Sequence, residues 1–161
     1  MLFNSHLFIF IFLPLSLFLF HLLNSYKLHD LKIKTLVFSS LFFYGWWNPK
    51  YLFLLIFSVL INYFFGKILL STSKNKFKLA VGISINLLIL GYYKYSNFFL
   101  ENINLIIDRE NLFETLILPL GISFFTFQQI TYLVDCFSGI VKKHNIIKFF
   151  LFVTFFPQIV A

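Results

Sequence analysis

Residues 51–70 read YLFLLIFSVLINYFFGKILL. These twenty positions hold one charge, Lys67, and no proline. A helix of about 20 apolar residues spans the hydrocarbon core of a bilayer, and this stretch fits it. The rest of the chain has the same character: 60% of its 161 residues are hydrophobic and 12% are charged. Its mean hydropathy is +0.87. A water-soluble domain carries about 25% charged residues, and no soluble core of this size hides 26 phenylalanines. The fold class read from the sequence is all-α, a polytopic transmembrane helical bundle.

Further spans lie on either side. Leu7–Leu23 is the first, with Pro14 as a kink. It has no basic residue before Lys27 and no small-residue cleavage site, so it reads as a retained span and not as a signal peptide. Leu31–Trp47 is the second, with Lys32 and Lys34 snorkelling from one end. Trp46 and Trp47 suit a membrane interface, and Asn48-Pro49 break the helix and turn the chain. Leu79–Phe99 is the fourth, and the polar stretch Glu101–Glu114 follows it. Pro119–Phe137 is the fifth, with Pro119 at the first helical position. Ile146 opens a sixth, which the sequence leaves incomplete at Ala161. The expectation is five complete spans plus a truncated sixth. Residues 1–161 then form the N-terminal part of a longer membrane domain, with no soluble domain inserted.

Charge sets the orientation. Lys27, Lys32, Lys34, Lys67, Lys74, Lys76, Lys78, Lys142, Lys143 and Lys148 fall around alternate loops, ten of the 13 basic residues. Lys50, Lys94 and Arg109 fall on the other side, with four acidic residues. The positive-inside rule then predicts an outside N-terminus. The net charge of +7 therefore orients the protein in lipid and makes no case for nucleic acid, since no continuous basic face with aromatic platforms exists. One cysteine, Cys136, excludes an internal disulfide and reads as a small buried hydrophobe. His6, His21, His29 and His144 lack the spacing of metal ligands, so no metal is expected. His144, in a lysine-rich loop, reads as a solvated histidine and not a catalytic one.

The fifth span carries the candidate site. Gln128, Tyr132 and Asp135 stand at i, i+4 and i+7 and share a helix face, with Thr131 beside them. Polar groups at membrane depth must pair or face water. Two readings stay open: a substrate pathway lined by this helix, or plain interhelical hydrogen bonding. Asp135 has a further reading as a partner of Lys142 or Lys143. The segments FFYGWWNPKYL and LGYYKYSNFF read as a structural corner and an anchored helix end. Asn62 and Asn86 read as isolated helix–helix contacts.

MLFNS at the start, SLFFYGWWNPKYL at 40–52, LGYYKYSNFF at 90–99, LPLGISFFTFQQITYLVD at 118–135 and FFPQIVA at 155–161 occur in this order. Together they resemble the N-terminal part of the membrane-bound O-acyltransferases, in the bacterial branch that acetylates alginate. The resemblance implies a bacterial cytoplasmic (inner) membrane enzyme of roughly three times this length. Such an enzyme moves an acetyl or other acyl group from a cytoplasmic thioester, acetyl-CoA or an acyl carrier, to a hydroxyl of a cell-surface polysaccharide. Its partners are the lipid bilayer, the acceptor polysaccharide and periplasmic or extracellular acetylation proteins. No cofactor is bound. The essential histidine lies beyond the stretch resembling FFPQIVA, so no catalytic residue is assigned here. Ser123, Gln128, Tyr132 and Asp135 become candidates for lining the donor path. A helical channel or transporter and a truncated, non-catalytic product are the alternatives.

Overall fold

The computed structural model describes residues 5–71, 75–107, 116–141 and 144–159, with backbone alone at 101, 103–107 and 159. Among them the chain is helical and contains no strand. A π-helical stretch, Phe8–Phe12, runs into α1, Leu13–Ser25; then come α2, His29–Trp47, and α3, Pro49–Ser71. α4 is Lys76–Ile107, α5 is Ile122–Ser138, α6 is Ile146–Thr154 and α7 is Phe156–Ile159.

Three helices among the described residues are long and apolar enough to cross a membrane: Phe8–Ser25, Pro49–Ser71 and Lys76–Leu100. The expected second and fifth spans do form helices, α2 and α5, but of 19 and 17 residues. α2 spends its first turns on Asp30, Lys32 and Lys34, which lowers its apolar length. Large apolar side chains such as Phe10, Phe38, Phe53 and Phe77 lie more than two-thirds exposed. In water that surface would aggregate; against acyl chains it is solvated.

Several boundaries differ from the sequence reading. Pro14 lies near the start of α1 where the π-helical stretch gives way to α-helix; it lacks an N–H at a place where one α-helical bond is already displaced. α4 extends past Phe99 into the polar segment as far as Ile107, and residues 108–115 lie outside the described set. Pro119 is not the first helical residue. It sits in a turn whose carbonyl accepts from the Ile122 N–H at 3.2 Å, and Gly121 has φ 66°, a left-handed conformation that glycine adopts without cost. The sixth helix is broken at Phe155. Pro157 has no N–H for the Val153 carbonyl, so α6 stops and the short α7 restarts. The Asn48-Pro49 corner forms as expected. Asn48 leaves α2 in extended conformation, its Oδ1 accepts from the Lys50 N–H at 3.0 Å, and Pro49 opens α3.

α5 lies at the centre, packed against α3, α4 and α6, while α2 bridges α1, α3 and α6. Tyr44, Leu55, Val59, Phe125, Leu133 and Val153 form the core of this arrangement. A second cluster, Phe8, Phe43 and Phe156, ties the N-terminal helix to α7. Close approach of α3 to α5 depends on Gly66: a Cβ there would lie 2.6 Å from Cε1 and 2.7 Å from the hydroxyl of Tyr132. That ring is itself stacked on Phe149 at 3.9 Å between centroids and has little room to retreat. Gly66→Ala is therefore expected to destabilise the protein by about 1–3 kcal/mol through overpacking. Gly91→Ala, where a Cβ meets nothing within 4 Å, is expected to leave stability unchanged. Thermal unfolding of both variants in detergent checks the contrast.

Candidate functional site

The two ends of α5 are fixed by different means. At the C-terminus Gly139 takes φ 80°, with its N–H on the Cys136 carbonyl and the Ile140 N–H on that of Asp135, at 3.2 and 3.0 Å. That pair of bonds is a Schellman closure, and it needs glycine at this position. At the N-terminus, three side chains from other helices hold the incoming loop. The Tyr44 hydroxyl donates to the Leu120 carbonyl at 3.0 Å and the Tyr51 hydroxyl to that of Ile117. Asn97 holds Leu116 from both sides, donating to its carbonyl at 2.7 Å and accepting from its N–H at 2.8 Å. The segments read as a corner (FFYGWWNPKYL) and an anchored end (LGYYKYSNFF) are thus structural, and together they position α5. The FFPQIVA segment joins them through α7. There the Phe156 N–H donates to Ser40 Oγ at 3.3 Å, and Gln158 Oε1 accepts from Gln128 Nε2 at 3.3 Å.

Inside the bundle, polar side chains of α3, α4 and α5 meet. Asn62 and Asn86 exchange amide hydrogen bonds, at 3.0 Å and 2.7 Å. Gln129 Oε1 accepts from Ser58 Oγ at 2.7 Å and from Asn62 Nδ2 at 3.0 Å. The Nδ2 groups of Asn62 and Asn86 also lie 2.9 and 2.8 Å from the carbonyls one turn back, of Ser58 and Gly82, so the two amide hydrogens of Asn62 are shared among three acceptors. All four side chains are essentially inaccessible. In a bilayer each would otherwise leave polar atoms without partners, at a cost of several kcal/mol in hydrocarbon. The two asparagines read as isolated are therefore partners of one another.

The candidate residues separate. Gln128 and Tyr132 are both buried on the face of α5 that meets α6 and α7. Asp135 is half-buried near the C-terminus of α5, and its proposed partners Lys142 and Lys143 lie outside the described residues. Ser123 is exposed, and Thr131 turns its hydroxyl back onto the Phe127 carbonyl. Gln129 lies off the Gln128 stripe, so helical periodicity alone does not select it. The signal was present in the single amides Asn62 and Asn86 on the two preceding helices. Among the described residues, three enclosed polar atoms of α5 have no nitrogen or oxygen partner: Gln128 Oε1, Gln129 Nε2 and the Tyr132 hydroxyl. Such atoms on an interior helix are costly unless they meet a polar group or water. No group of three His, Cys, Asp or Glu side chains able to hold a metal exists among the described residues.

His144 is not the solvated loop residue that its neighbours in sequence suggested. Its ring stacks on Tyr63 at 4.0 Å, and its Nε2 is enclosed without a hydrogen-bond partner. Desolvation, and then the charge of Lys67, lower its pKa, while a backbone hydrogen bond at Tyr63 works the other way. A histidine whose folded pKa is lowered favours the folded state fully above its unfolded value, about 6.5. Below that value the unfolded chain takes up the proton first. Apparent melting temperature is thus expected to fall as pH drops from 7 to 5, and His144→Gln is expected to flatten that part of the profile. An unchanged slope in the variant contradicts this assignment.

These helices and their polar interior define a multi-pass helical membrane protein. The chain aligns over its whole length with the "Peptidoglycan O-acetyltransferase" of Helicobacter pylori, at 40% identity and over 36% of that protein. It aligns likewise with the "Probable alginate O-acetylase AlgI" of Pseudomonas aeruginosa and of Azotobacter vinelandii, at 34% identity and over 32% and 33% of those proteins. The chain belongs to the family of these proteins, the membrane-bound O-acyltransferases. It spans about a third of the length of the curated relatives it matches. No family model and no solved structure matches it.

Proposed function

We propose that the protein transfers an acetyl group from a cytoplasmic thioester, acetyl-CoA or an acyl carrier, to a hydroxyl of an envelope polysaccharide. The observation that carries this is the 40% identity, over the entire chain, to a protein named for O-acetylation of peptidoglycan. The relatives named for alginate support the same chemistry with another acceptor. In this reaction the sugar hydroxyl attacks the thioester carbonyl, the C–S bond breaks and the thiolate leaves. The hydroxyl proton passes to a general base, work suited to a histidine near its ordinary pKa. On this reading that histidine lies outside these 161 residues, and His144 does not take its place. The chain contributes the path. Gln128 and Tyr132, buried with unmet polar atoms on α5, line it at mid-depth, with Asp135 nearer the lysine-rich end and Ser123 at the opposite end of the helix.

Deleting the gene is expected to remove base-labile acetate from the envelope glycans. Assaying muropeptides and secreted polysaccharide separately identifies the acceptor, and unchanged acetate in both contradicts the proposal. In the intact protein, Gln128→Leu and Tyr132→Phe are expected to lower acetyl transfer about 10-fold or more while the protein still folds. We further propose a bacterial cytoplasmic-membrane location with the N-terminus outside, supported by the lysine-rich alternate loops. In a Cys136→Ala background, an impermeant maleimide is expected to reach Tyr26→Cys and Lys50→Cys from opposite faces. Labelling of both from one face contradicts the orientation.

A further inference from the structure

Where α2 and α6 begin, the fold brings Lys34 and Lys148 to one cleft of about 210 Å³, which Asp30 and Asn145 also line. Neither ammonium group makes a hydrogen bond or ion pair with another described residue, whereas neighbouring Lys32 donates to Asn24 Oδ1 at 2.9 Å. The cleft does not rest on free backbone donors of α6, because Asn145 Oδ1 already accepts from the N–H groups of Ile147 and Lys148. Two lysines and Asp30 leave it one net positive charge.

The cleft adjoins a groove of about 440 Å³ along the same two helices, sharing Ile33 and Lys148 with it. Leu36, Leu151, Phe152 and Phe155 line the groove, with Gln158 of α7 at its edge. A cationic pocket above an apolar channel is the shape of one amphiphile. A comparable groove of about 490 Å³ between α2 and α3, lined by Phe38, Phe42, Trp46 and Leu52, has no charged residue at all. The lysine pair is therefore a feature of this groove and not of every lipid-facing furrow.

We propose that the α2/α6 cleft and groove hold one anionic glycerophospholipid. Its phosphodiester lies between Lys34 and Lys148 and one acyl chain runs along Leu36, Leu151 and Phe155. The single negative charge of a phosphodiester matches the net charge of the cleft, and basic pockets between membrane helices recognise lipid head groups in this way. The lysine cleft uses none of the α5 residues, and the groove meets α5 only through Gln158, which accepts from Gln128.

The test is lipid retention by the purified intact protein, followed by native mass spectrometry after delipidation and back-addition of defined lipids. Phosphatidylglycerol is expected to bind as a discrete adduct, ahead of phosphatidylcholine, and millimolar inorganic phosphate is not expected to displace it. Lys34→Gln with Lys148→Gln is expected to weaken retention roughly 30-fold. Should the double variant not fold, Lys148→Gln alone gives the readout, roughly 5-fold. Lys94→Gln, at the far end of the bundle, is expected to change nothing. Equal retention of phosphatidylcholine, or unchanged retention in the lysine variants, overturns the proposal. So does displacement by free phosphate, which marks a simple anion site. A protein that takes up no lipid overturns it as well, since the groove is then covered by protein.

Discussion

A bilayer gives a buried amide no water to fall back on. That constraint governs the inside of this bundle. Asn62, Asn86, Gln129 and Ser58 come from three helices, and each satisfies hydrogen-bonding groups of the others. Apolar packing alone gives weak preference among helix registers, because lipid tails solvate leucine as well as a neighbouring helix does. A set of amides that meets in one register and not in another supplies the missing specificity. Sliding α4 by one residue turns Asn86 about 100° away from Asn62 and leaves both unpaired. The glycines act in the same direction: Gly66 admits the Tyr132 ring and Gly82 admits Leu133, so the helices come close enough for short side chains to bond.

α5 is the element these contacts serve. Its N-terminal loop is held by Tyr44, Tyr51 and Asn97, its middle by the amides of α3 and α4, and its C-terminus by Gly139. Gln128 then meets Gln158, and Tyr132 stacks on Phe149. Widely separated sequence segments therefore make one structural statement. A helix fixed at both ends and in the middle can carry polar groups with spare hydrogen-bonding capacity without shifting to satisfy them. Gln129 fastens the helix through its Oε1 bonds to Ser58 and Asn62, although its own Nε2 has no partner.

Much of this was legible in the sequence. Apolar length located the helices, and Asn48-Pro49 located the corner between α2 and α3. The stripe at Gln128 and Tyr132 followed from helical periodicity. What the sequence concealed were relations between distant segments. Gln129 looked like a neighbour of the interesting residue, and only its pairing with Asn62, 67 positions earlier, gives it a role. His144 looked solvated because its sequence neighbours are lysines; its spatial neighbours are Tyr63 and Tyr132. Pro119 looked like a helix start, yet the turn at Gly121 postpones α5 to Ile122. Local propensity gives no warning of such a turn when the residues that hold it, Tyr44 and Asn97, lie in other helices.

The packing of α3 against α4 turns on the asparagines Asn62 and Asn86 binding each other at membrane depth. A double-mutant cycle on Asn62→Leu and Asn86→Leu, read by reversible unfolding in detergent or bilayer, tests it most directly. The two single losses are predicted to exceed the double loss by about 0.5–2 kcal/mol, since either single variant strands the remaining amide. Additivity within about 0.3 kcal/mol would show that the two side chains do not meet, and the arrangement of α3, α4 and α5 would have to be redrawn.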